Sequence, residues 1–311
     1  MTLNMNTVIL AHEFNVFLDF SWRDWSASII AGSIFSVGAM RSSLLQPTAI
    51  FTNYLSLLLW LIPYVYFLNL SNQITGVEED VINKPDRPIP SGKVTLAGAK
   101  VRWVITLAAF LALALMQPSL LPETICWIST VAFLCLSAAG NHWFGKNCVG
   151  MTAGTVALLN GSWKAVAPPT AQSERYVVAI AIWVGLLAHI QDLRDIKGDA
   201  AVGRKTFPIV FGDERSRWII TFLLLPLAVV VLWVGGILQI APVTMVGAHI
   251  ILGWRIMQMK GSQFDHKTYM IYTYIFCLQL ALTSCRGLGV KTILEPVFGA
   301  LKYIAPGDFP C

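Results

Sequence analysis

Residues 176–206 have the sequence YVVAIAIWVGLLAHIQDLRDIKGDAAVGRKT. The first half is an apolar run that ends near His189, and the second half contains Asp192, Asp195 and Asp199. A long apolar run that ends in charged residues is typical of a membrane-spanning helix that leaves the lipid at that point. The stretch therefore predicts a span whose polar chemistry lies at one end, and the basic residues of 203–206 extend that polar end.

The composition of the whole chain also indicates a membrane protein. Its 311 residues are 56% hydrophobic and 13% charged, whereas a soluble domain has roughly 45–50% apolar and about 25% charged residues. We therefore predict an all-α, polytopic helical bundle in a lipid bilayer, built as a single domain over residues 1–311. The six cysteines show no metal-binding spacing, so we interpret them as apolar packing residues without disulfides.

Nine apolar runs are interpreted as transmembrane helices. Their approximate ranges are 27–40, 44–70, 101–116, 122–139, 149–167, 176–189, 218–237, 242–257 and 269–288. The segment before them, with Trp22 and Trp25, is typical of the membrane interface, because indole rings favour the headgroup level.

The charge of +5 is distributed as a membrane topology requires. Lysine and arginine concentrate in the loops between spans 2 and 3, 4 and 5, 6 and 7, and 8 and 9. The positive-inside rule places these loops in the cytoplasm, at the endoplasmic reticulum membrane if the cell is eukaryotic. No basic patch is interleaved with aromatic residues, so nucleic-acid binding is not expected, and no obligate protein partner is evident.

A second polar stretch, residues 72–88, has the sequence NQITGVEEDVINKPDRP and follows span 2 as residues 192–206 follow span 6. Four spans separate the two stretches, so they have the same orientation. We predict two parallel four-helix halves around a central cavity, with both polar stretches at its cytoplasmic end.

The acidic residues of both stretches recur at helical spacing. On a helix with about 100° per residue, the aspartates of 192–199 share one stripe, and so do Asn72, Gly76, Glu79 and Asp80. Oxygen ligands with open positions suit Mg²⁺, which keeps waters and takes substrate phosphates. Basic residues downstream suit the phosphate oxygens, and these are Lys84, Arg87, Arg204 and Lys205. Together the stretches predict a metal-bridged diphosphate site.

Two other interpretations explain less. Charges that flank spans are often only solvated helix ends, which suffices for Lys93, Lys260 and Lys267. It does not explain aspartates at helical spacing in two equivalent places. A transporter would carry charges inside its spans, and these spans are almost free of them, so a non-catalytic transporter is disfavoured.

The two stretches resemble the motifs of the UbiA superfamily of intramembrane prenyltransferases. That family carries an Asn-Asp/Gln-x-x-Asp-x-x-x-Asp motif, a basic-Pro loop, and an Asp-x-x-Asp-x-x-x-Asp motif before Gly-Arg-x-Thr. The matching positions are Asn72, Gln73, Asp80, Lys84, Pro85, Arg87, Pro88, Asp192, Asp195, Asp199, Gly203, Arg204 and Thr206. Lys146 resembles the basic residue of the family's third loop, and the resemblance runs from the first span to the ninth.

Gly76 departs from the family pattern, because the family usually has a metal-binding Asp at that position. Glu79 and Asp80, one turn later, are expected to compensate. The resulting NQxxGxxED form is similar to that of fungal members, which include membrane terpene cyclases and aromatic prenyltransferases.

The resemblance implies a Mg²⁺-dependent enzyme that acts on an isoprenyl diphosphate. The implied metal ligands are Asn72, Glu79, Asp80, Asp192, Asp195 and Asp199, and all of them except Glu79 are also implied catalytic residues. The implied substrate-binding residues are Lys84, Arg87, Lys146, Arg194, Arg204, Lys205, Asn69 and Tyr64.

Residues around the isoprenoid tail are also expected at the site. Aromatic faces stabilise cations, and the candidates are Tyr64, Tyr66, Phe67, Trp143, Phe144 and Trp183. Asn69 and Asn160 are costly in lipid and are expected to face the cavity. His189 is either a base or a buried packing residue, and Arg23 is either a site residue or an interfacial anchor.

Two functions stay open at this point. In a terpene cyclase, the double bonds of a C15 or C20 substrate quench the allylic cation that forms when diphosphate leaves. In a prenyltransferase, a phenol or quinol ring quenches it. The fungal form of the first motif favours the cyclase.

Overall fold

The computed structural model describes residues 5–43 and 46–286, and throughout these residues the fold is helical. The helices are α1 (Met5–Ser21), α2 (Ile29–Ser42), α3 (Pro47–Thr75), α4 (Val77–Asn83), α5 (Leu96–Met116), α6 (Leu121–Leu136), α7 (Thr152–Lys164), α8 (Ala171–Leu187), α9 (His189–Ala201), α10 (Phe207–Phe211), α11 (Asp213–Ile219), α12 (Leu225–Val234), α13 (Pro242–Ile256) and α14 (Ser262–Cys285). The extended contact within this part of the chain is an isolated bridge between His142 and Lys205. The predicted all-α class is confirmed.

Six helical segments in the described residues are long and apolar enough to cross a membrane. They are Pro47–Thr75, Leu96–Met116, Pro118–Leu136, Ala171–Ala201, Asp213–Val234 and Ser262–Cys285. The other predicted spans, 27–40, 149–167 and 242–257, coincide with the shorter helices α2, α7 and α13. The count of nine therefore stays a prediction. Residues 44–45 and 287–288, at the ends of two predicted spans, lie outside the described residues.

The continuation of span 6 has the predicted form. Helices α8 and α9 are interrupted only at Ala188, so Asp192, Asp195 and Asp199 lie on a helix that extends the span. The segment Ala171–Ala201 is the most deeply buried of the six long ones, which places it at the centre of the bundle.

The continuation of span 2 differs from the prediction. Helix α3 ends at Thr75 and α4 begins at Val77, with Gly76 between them at φ −108° and ψ 26°. The Gly76 N–H donates to Asn72 O at 2.8 Å, which closes the last turn of α3. One continuous stripe of Asn72, Gly76, Glu79 and Asp80 is therefore wrong, because the chain changes helix at Gly76.

Large side chains fill the centre of the bundle, where small residues let the helices approach closely. Trp60 on α3 is buried, and its indole N–H donates to Thr124 Oγ1 on α6 at 2.9 Å. A Cβ atom at Gly161 of α7 would lie 2.4 Å from the Trp60 ring. Small residues at such contacts are typical of membrane helix packing.

Candidate active site

The two polar stretches meet where α4 packs against α9. Asn83 at the end of α4 donates from Nδ2 to Asp195 O at 3.2 Å, and its Oδ1 accepts from Gly198 N at 3.1 Å. A Cβ atom at Gly198 would lie 2.2 Å from Asn83 Nδ2. The glycine therefore allows the close approach that brings both acidic stretches into one cluster.

Asp192 is completely buried and both of its oxygens are bonded. Oδ1 accepts from Lys146 Nζ and Oδ2 accepts from Asn147 Nδ2, each at 2.7 Å. Burial alone would lower the pKa of Lys146, but the charges of Asp192 and Asp199 outweigh burial and raise it. Lys146 is therefore held as a cation against the second motif.

Asp195, one turn later, is shared between two cations. Lys84 Nζ lies 3.5 Å and Arg194 Nε lies 3.3 Å from Asp195 Oδ2. Burial lowers the pKa of the Lys84 ammonium, and the attraction of Asp195 offsets this effect only in part. A polyanion bound beside Lys84 would favour the charged form of the ammonium in the same way as Asp195 does.

The acidic residues of the first stretch are also paired. Arg87 Nη1 donates to Asp80 Oδ1 at 2.8 Å and to Asp80 Oδ2 at 2.7 Å. Burial raises the pKa of the Asp80 carboxyl, and Arg87 only partly offsets this. Glu79 lies 2.7 Å from Arg204 Nη1, so this arginine of the second stretch is bonded to the first.

Asp199 is the exception among these acids. Its side chain is fully buried, and neither oxygen has a hydrogen-bond partner among the described residues. Arg204 Nη1 lies 3.7 Å from Asp199 Oδ1, and the charge of Lys146 also acts on this carboxylate. A buried carboxylate without donors is costly, and coordination of a divalent cation would compensate it.

The donor set fits Mg²⁺ better than a metal held entirely by protein. In the described part of the chain, no three histidine, cysteine or acidic side chains are arranged to hold one ion. The other acids are paired with lysine or arginine. Mg²⁺ typically binds through one or two carboxylates together with waters and substrate phosphates, so an arrangement centred on Asp199 suits it.

A cavity extends from this cluster into the bundle. Its charged end is lined by Asn72, Glu79, Lys84, Arg87, Lys146, Arg194, Asp195 and Arg204. Its remaining wall includes Asn69, Tyr64, Val65, Leu68, Trp127, Met151 and Leu158. The cavity wall thus combines cationic and apolar side chains, which suits a ligand that has both an anionic group and an apolar part.

Four of the predicted site residues do not line this cavity. Asp80, Asp192 and Asp199 are not part of the cavity wall. Each lies next to a basic side chain that is part of it, namely Arg87, Lys146 and Arg204 respectively. Lys205 has an exposed side chain, while its backbone accepts from Trp143 N at 2.8 Å and donates to Asn141 O at 3.0 Å. In this structure Lys205 thus anchors the loop before α10 rather than facing the cavity.

Tyr64 alone among the six predicted aromatic residues lines the cavity. Its hydroxyl donates to Gly154 O at 2.9 Å, which fixes the ring. Trp127 stacks on it with ring centroids 4.1 Å apart and planes inclined by 6°. Trp127 and Tyr269 line the cavity without having been predicted, because they lie within apolar runs and no pattern distinguishes them from packing residues.

The remaining candidates lie elsewhere. Asn69 lines the cavity and donates to Val65 O at 3.0 Å, whereas Asn160 is not part of its wall. His189 is buried and bonded through Nδ1 to Asn147, away from the cavity. Arg23 pairs with Asp86, outside the cavity wall. Asp24, which was not predicted, also lines the cavity.

Comparison with known proteins defines the class of this chain. The sequence model of the UbiA prenyltransferase family matches residues 29–278, so the chain belongs to that family. It is 62% identical over 286 residues to the diterpene cyclase eriG of Hericium erinaceus, covering 92% of this chain and 93% of eriG. It is 58% identical over 281 residues to the polyprenyl transferase eriF of the same fungus, covering 90% of this chain and 98% of eriF. The chain is therefore an enzyme of the terpene cyclase or prenyltransferase type.

The fold has solved counterparts as well. A UbiA homolog from Archaeoglobus fulgidus bound to GPP and Mg²⁺ matches with a TM-score of 0.62 at 14% identity. The match covers 86% of this chain and 99% of the homolog. At this identity the likeness concerns the fold.

Proposed function

We propose that this enzyme ionises an isoprenyl diphosphate in a Mg²⁺-dependent reaction and then cyclises the chain to a terpene. The observation that carries the proposal is the cavity itself, which joins Lys84, Arg194 and Arg204 at one end to an apolar interior at the other. The tail would lie in the interior and the diphosphate among the cations.

The acidic cluster supports the metal. Asp199, with no donor on either oxygen, would hold Mg²⁺ together with neighbours drawn from Asn72, Glu79, Asp80, Asp192 and Asp195. The bound ion would neutralise charge that develops on the leaving diphosphate. Those acids are paired with Lys84, Lys146, Arg87, Arg194 and Arg204. The pairs hold these cations in the cavity wall, where they would bind the phosphate oxygens.

The chain's own residues then account for ionisation. The bond between the allylic carbon and the diphosphate oxygen breaks, and both electrons leave with the oxygen. Fixed cations at that oxygen stabilise the separating charge, which is transition-state stabilisation without a covalent intermediate. Tyr64 and Trp127 both line the cavity, where their aromatic rings can stabilise the carbon cation. The apolar wall excludes water that would otherwise quench it. Attack of a substrate double bond on the cation closes the ring and moves the positive charge to another carbon, and loss of a proton to the released diphosphate then gives the neutral hydrocarbon.

Cyclisation is favoured by the relative eriG, which is a diterpene cyclase. Its name also favours the C20 member of the predicted C15 or C20 substrates. The alternative is transfer of the prenyl group to a phenol or quinol, and the similar polyprenyl transferase eriF supports it. The identities of 62% and 58% are too close to decide between the two.

The arrangement in the membrane belongs to the same proposal. We propose one domain over residues 1–311 with nine spans in two parallel halves, and no obligate protein partner. The cationic end of the cavity faces the cytoplasm, as the lysine and arginine distribution predicts, and the membrane is that of the endoplasmic reticulum if the cell is eukaryotic.

The decisive experiment supplies Mg²⁺ and a C10, C15 or C20 diphosphate to membranes that contain the enzyme, without any acceptor. A cyclic hydrocarbon together with released diphosphate is expected. A product that forms only after a phenolic acceptor is added would replace cyclisation with transfer. Asp192→Ala should abolish diphosphate release under either reaction, whereas Asp19→Ala, at an exposed pair with Lys93, should not. Full activity of the first variant would refute the assignment of the site.

A further inference from the structure

The loop before α7 contains a wide helical turn that reaches Asp192 with two consecutive side chains. Residues Phe144–Met151 form a π-helix, and such turns are rare and are frequently found at functional sites. Consecutive side chains diverge by about 100° on an α-helix, and they diverge less on a turn with more residues. Lys146 and Asn147 both reach the Asp192 carboxylate, one oxygen each, at 2.7 Å.

Asn147 is completely buried, and each of its side-chain groups has a partner. Nδ2 lies 2.7 Å from Asp192 Oδ2 and 2.8 Å from His189 Nδ1. Oδ1 accepts from Gln191 Nε2 at 3.3 Å. Since an amide nitrogen carries two hydrogens, one is donated to each partner of Nδ2.

These contacts determine the orientation of the amide. The opposite orientation would place Oδ1 2.7 Å from the Asp192 carboxylate, where two acceptors repel each other. With the observed orientation His189 Nδ1 is an acceptor, so the imidazole proton lies on Nε2. Cys148 Sγ is 3.7 Å from that nitrogen. His189 is thereby a neutral support for Asn147 rather than a base at the cavity.

We propose that Asn147 is a positioning residue for the ionisation reaction. It does not line the cavity, but it fixes the direction of the Asp192 carboxylate, and Asp192 in turn holds Lys146 in the cavity wall. The π-helical turn brings both side chains to one carboxylate. This inference rests on the proposed function, because it assigns Asn147 a role in binding Mg²⁺ and the diphosphate.

The loss of Asn147 should act through Asp192. Leucine has the same branching as asparagine but no polar atoms. In Asn147→Leu, Oδ2 of Asp192 therefore loses its donor, and only the contact with Lys146 still orients the carboxylate. Removal of the partners that orient metal ligands typically costs about 10- to 100-fold in metal affinity or activity. We therefore expect the half-saturating Mg²⁺ concentration to rise and kcat for diphosphate release to fall, each by about 10- to 100-fold.

The test compares Asn147→Leu with Asn160→Leu, a matched control on α7 that makes no contact with the cavity. Diphosphate release is measured against Mg²⁺ and against a C20 diphosphate. The control should stay within about twofold of the wild type. Wild-type Mg²⁺ dependence and kcat in a folded Asn147→Leu protein would overturn the proposal.

A double-mutant cycle tests the coupling between Asn147 and Asp192 without an activity assay. Asn147→Leu is combined with Asp192→Asn, and the unfolding temperature in detergent is measured for all four proteins. Asn147→Leu should lower Tm more in the wild type than in the Asp192→Asn background, and equal losses would overturn the link. If the link holds but the wild type releases no diphosphate, the proposed function fails. If the leucine variant does not fold, the smaller change Asn147→Asp, which sets two carboxylates together, should raise the half-saturating Mg²⁺ concentration and lower kcat by about 10- to 100-fold, and wild-type values in this variant would overturn the proposal.

Discussion

Asp199 shows at the scale of one residue how stability and reactivity oppose each other. Its buried carboxylate has no hydrogen-bond donor among the described residues, so its charge costs folding free energy. Asp199→Asn removes that charge and should leave the unfolding temperature unchanged or higher. Because it also removes the best candidate for a metal ligand, diphosphate release should fall at least about 100-fold. Thermal unfolding and a diphosphate-release assay on the same preparation measure both effects.

Asp195→Asn provides the contrast, since Asp195 is paired with Lys84 and Arg194. Its removal leaves two half-buried cations without a carboxylate, which should cost about 1–3 kcal/mol of folding free energy. If Asp199→Asn were instead the more destabilising change in thermal unfolding, Asp199 would be a structural residue and its proposed role would be wrong.

Residue patterns predict the acids of this site but not their partners. Helical spacing identified Asp192, Asp195 and Asp199, because charges with a period are visible in one sequence. Asn147 bonds to Asp192 from a different segment, and Trp127 lies in an apolar run. Contacts between distant segments leave no periodic signal in the sequence. Asn147 and Trp127 could therefore not be identified as site residues until the fold was known.

At the scale of helices, the site depends on the contact between α4 and α9. Gly198→Ala should push the helices apart, because a Cβ atom there would lie 2.2 Å from Asn83 Nδ2. Alanine otherwise favours a helix by about 1 kcal/mol, so helix propensity alone predicts the opposite effect on stability. We expect diphosphate release to fall at least about 10-fold, with a loss of thermal stability.

Gly247→Ala on α13 is the matched control, since a Cβ atom at Gly247 meets open space. Its activity should equal that of the wild type, with the same or slightly higher unfolding temperature. Equal activity of both variants would show that close approach of α4 and α9 is not required.

The boundaries of helices were predictable only in part. Helices α8 and α9 were indicated by the apolar run of span 6 together with the spacing of the aspartates that follow it. Nothing comparable marks the end of α3, because Gly76 has a backbone conformation outside the left-handed region and glycines also occur within helices of this chain. The turn depends on the bond from Gly76 N to Asn72 O and on the packing of α4.

At the scale of the whole molecule, length and hydropathy leave the number of spans open. Helices α2, α7 and α13 are shorter than the six long apolar segments. Helix α7 is preceded by the π-helix Phe144–Met151, which adds length to that segment. Whether a short helix crosses depends on its neighbours in the bilayer, which a single sequence does not reveal.

The predicted membrane topology assigns opposite sides of the membrane to two loops, and this can be tested by cysteine labelling. The distribution of lysine and arginine places the loop between α13 and α14 in the cytoplasm and the loop before α8 on the opposite side. Lys260 and Gln172 are exposed residues of these two regions. In a cysteine-free background, Lys260→Cys should react with a membrane-impermeant maleimide on sealed microsomes, whose cytoplasmic face is outward. Gln172→Cys should react only after detergent is added. The reverse labelling would place the diphosphate end of the cavity in the lumen, and equal labelling of both sites in sealed vesicles would contradict an odd number of spans between them.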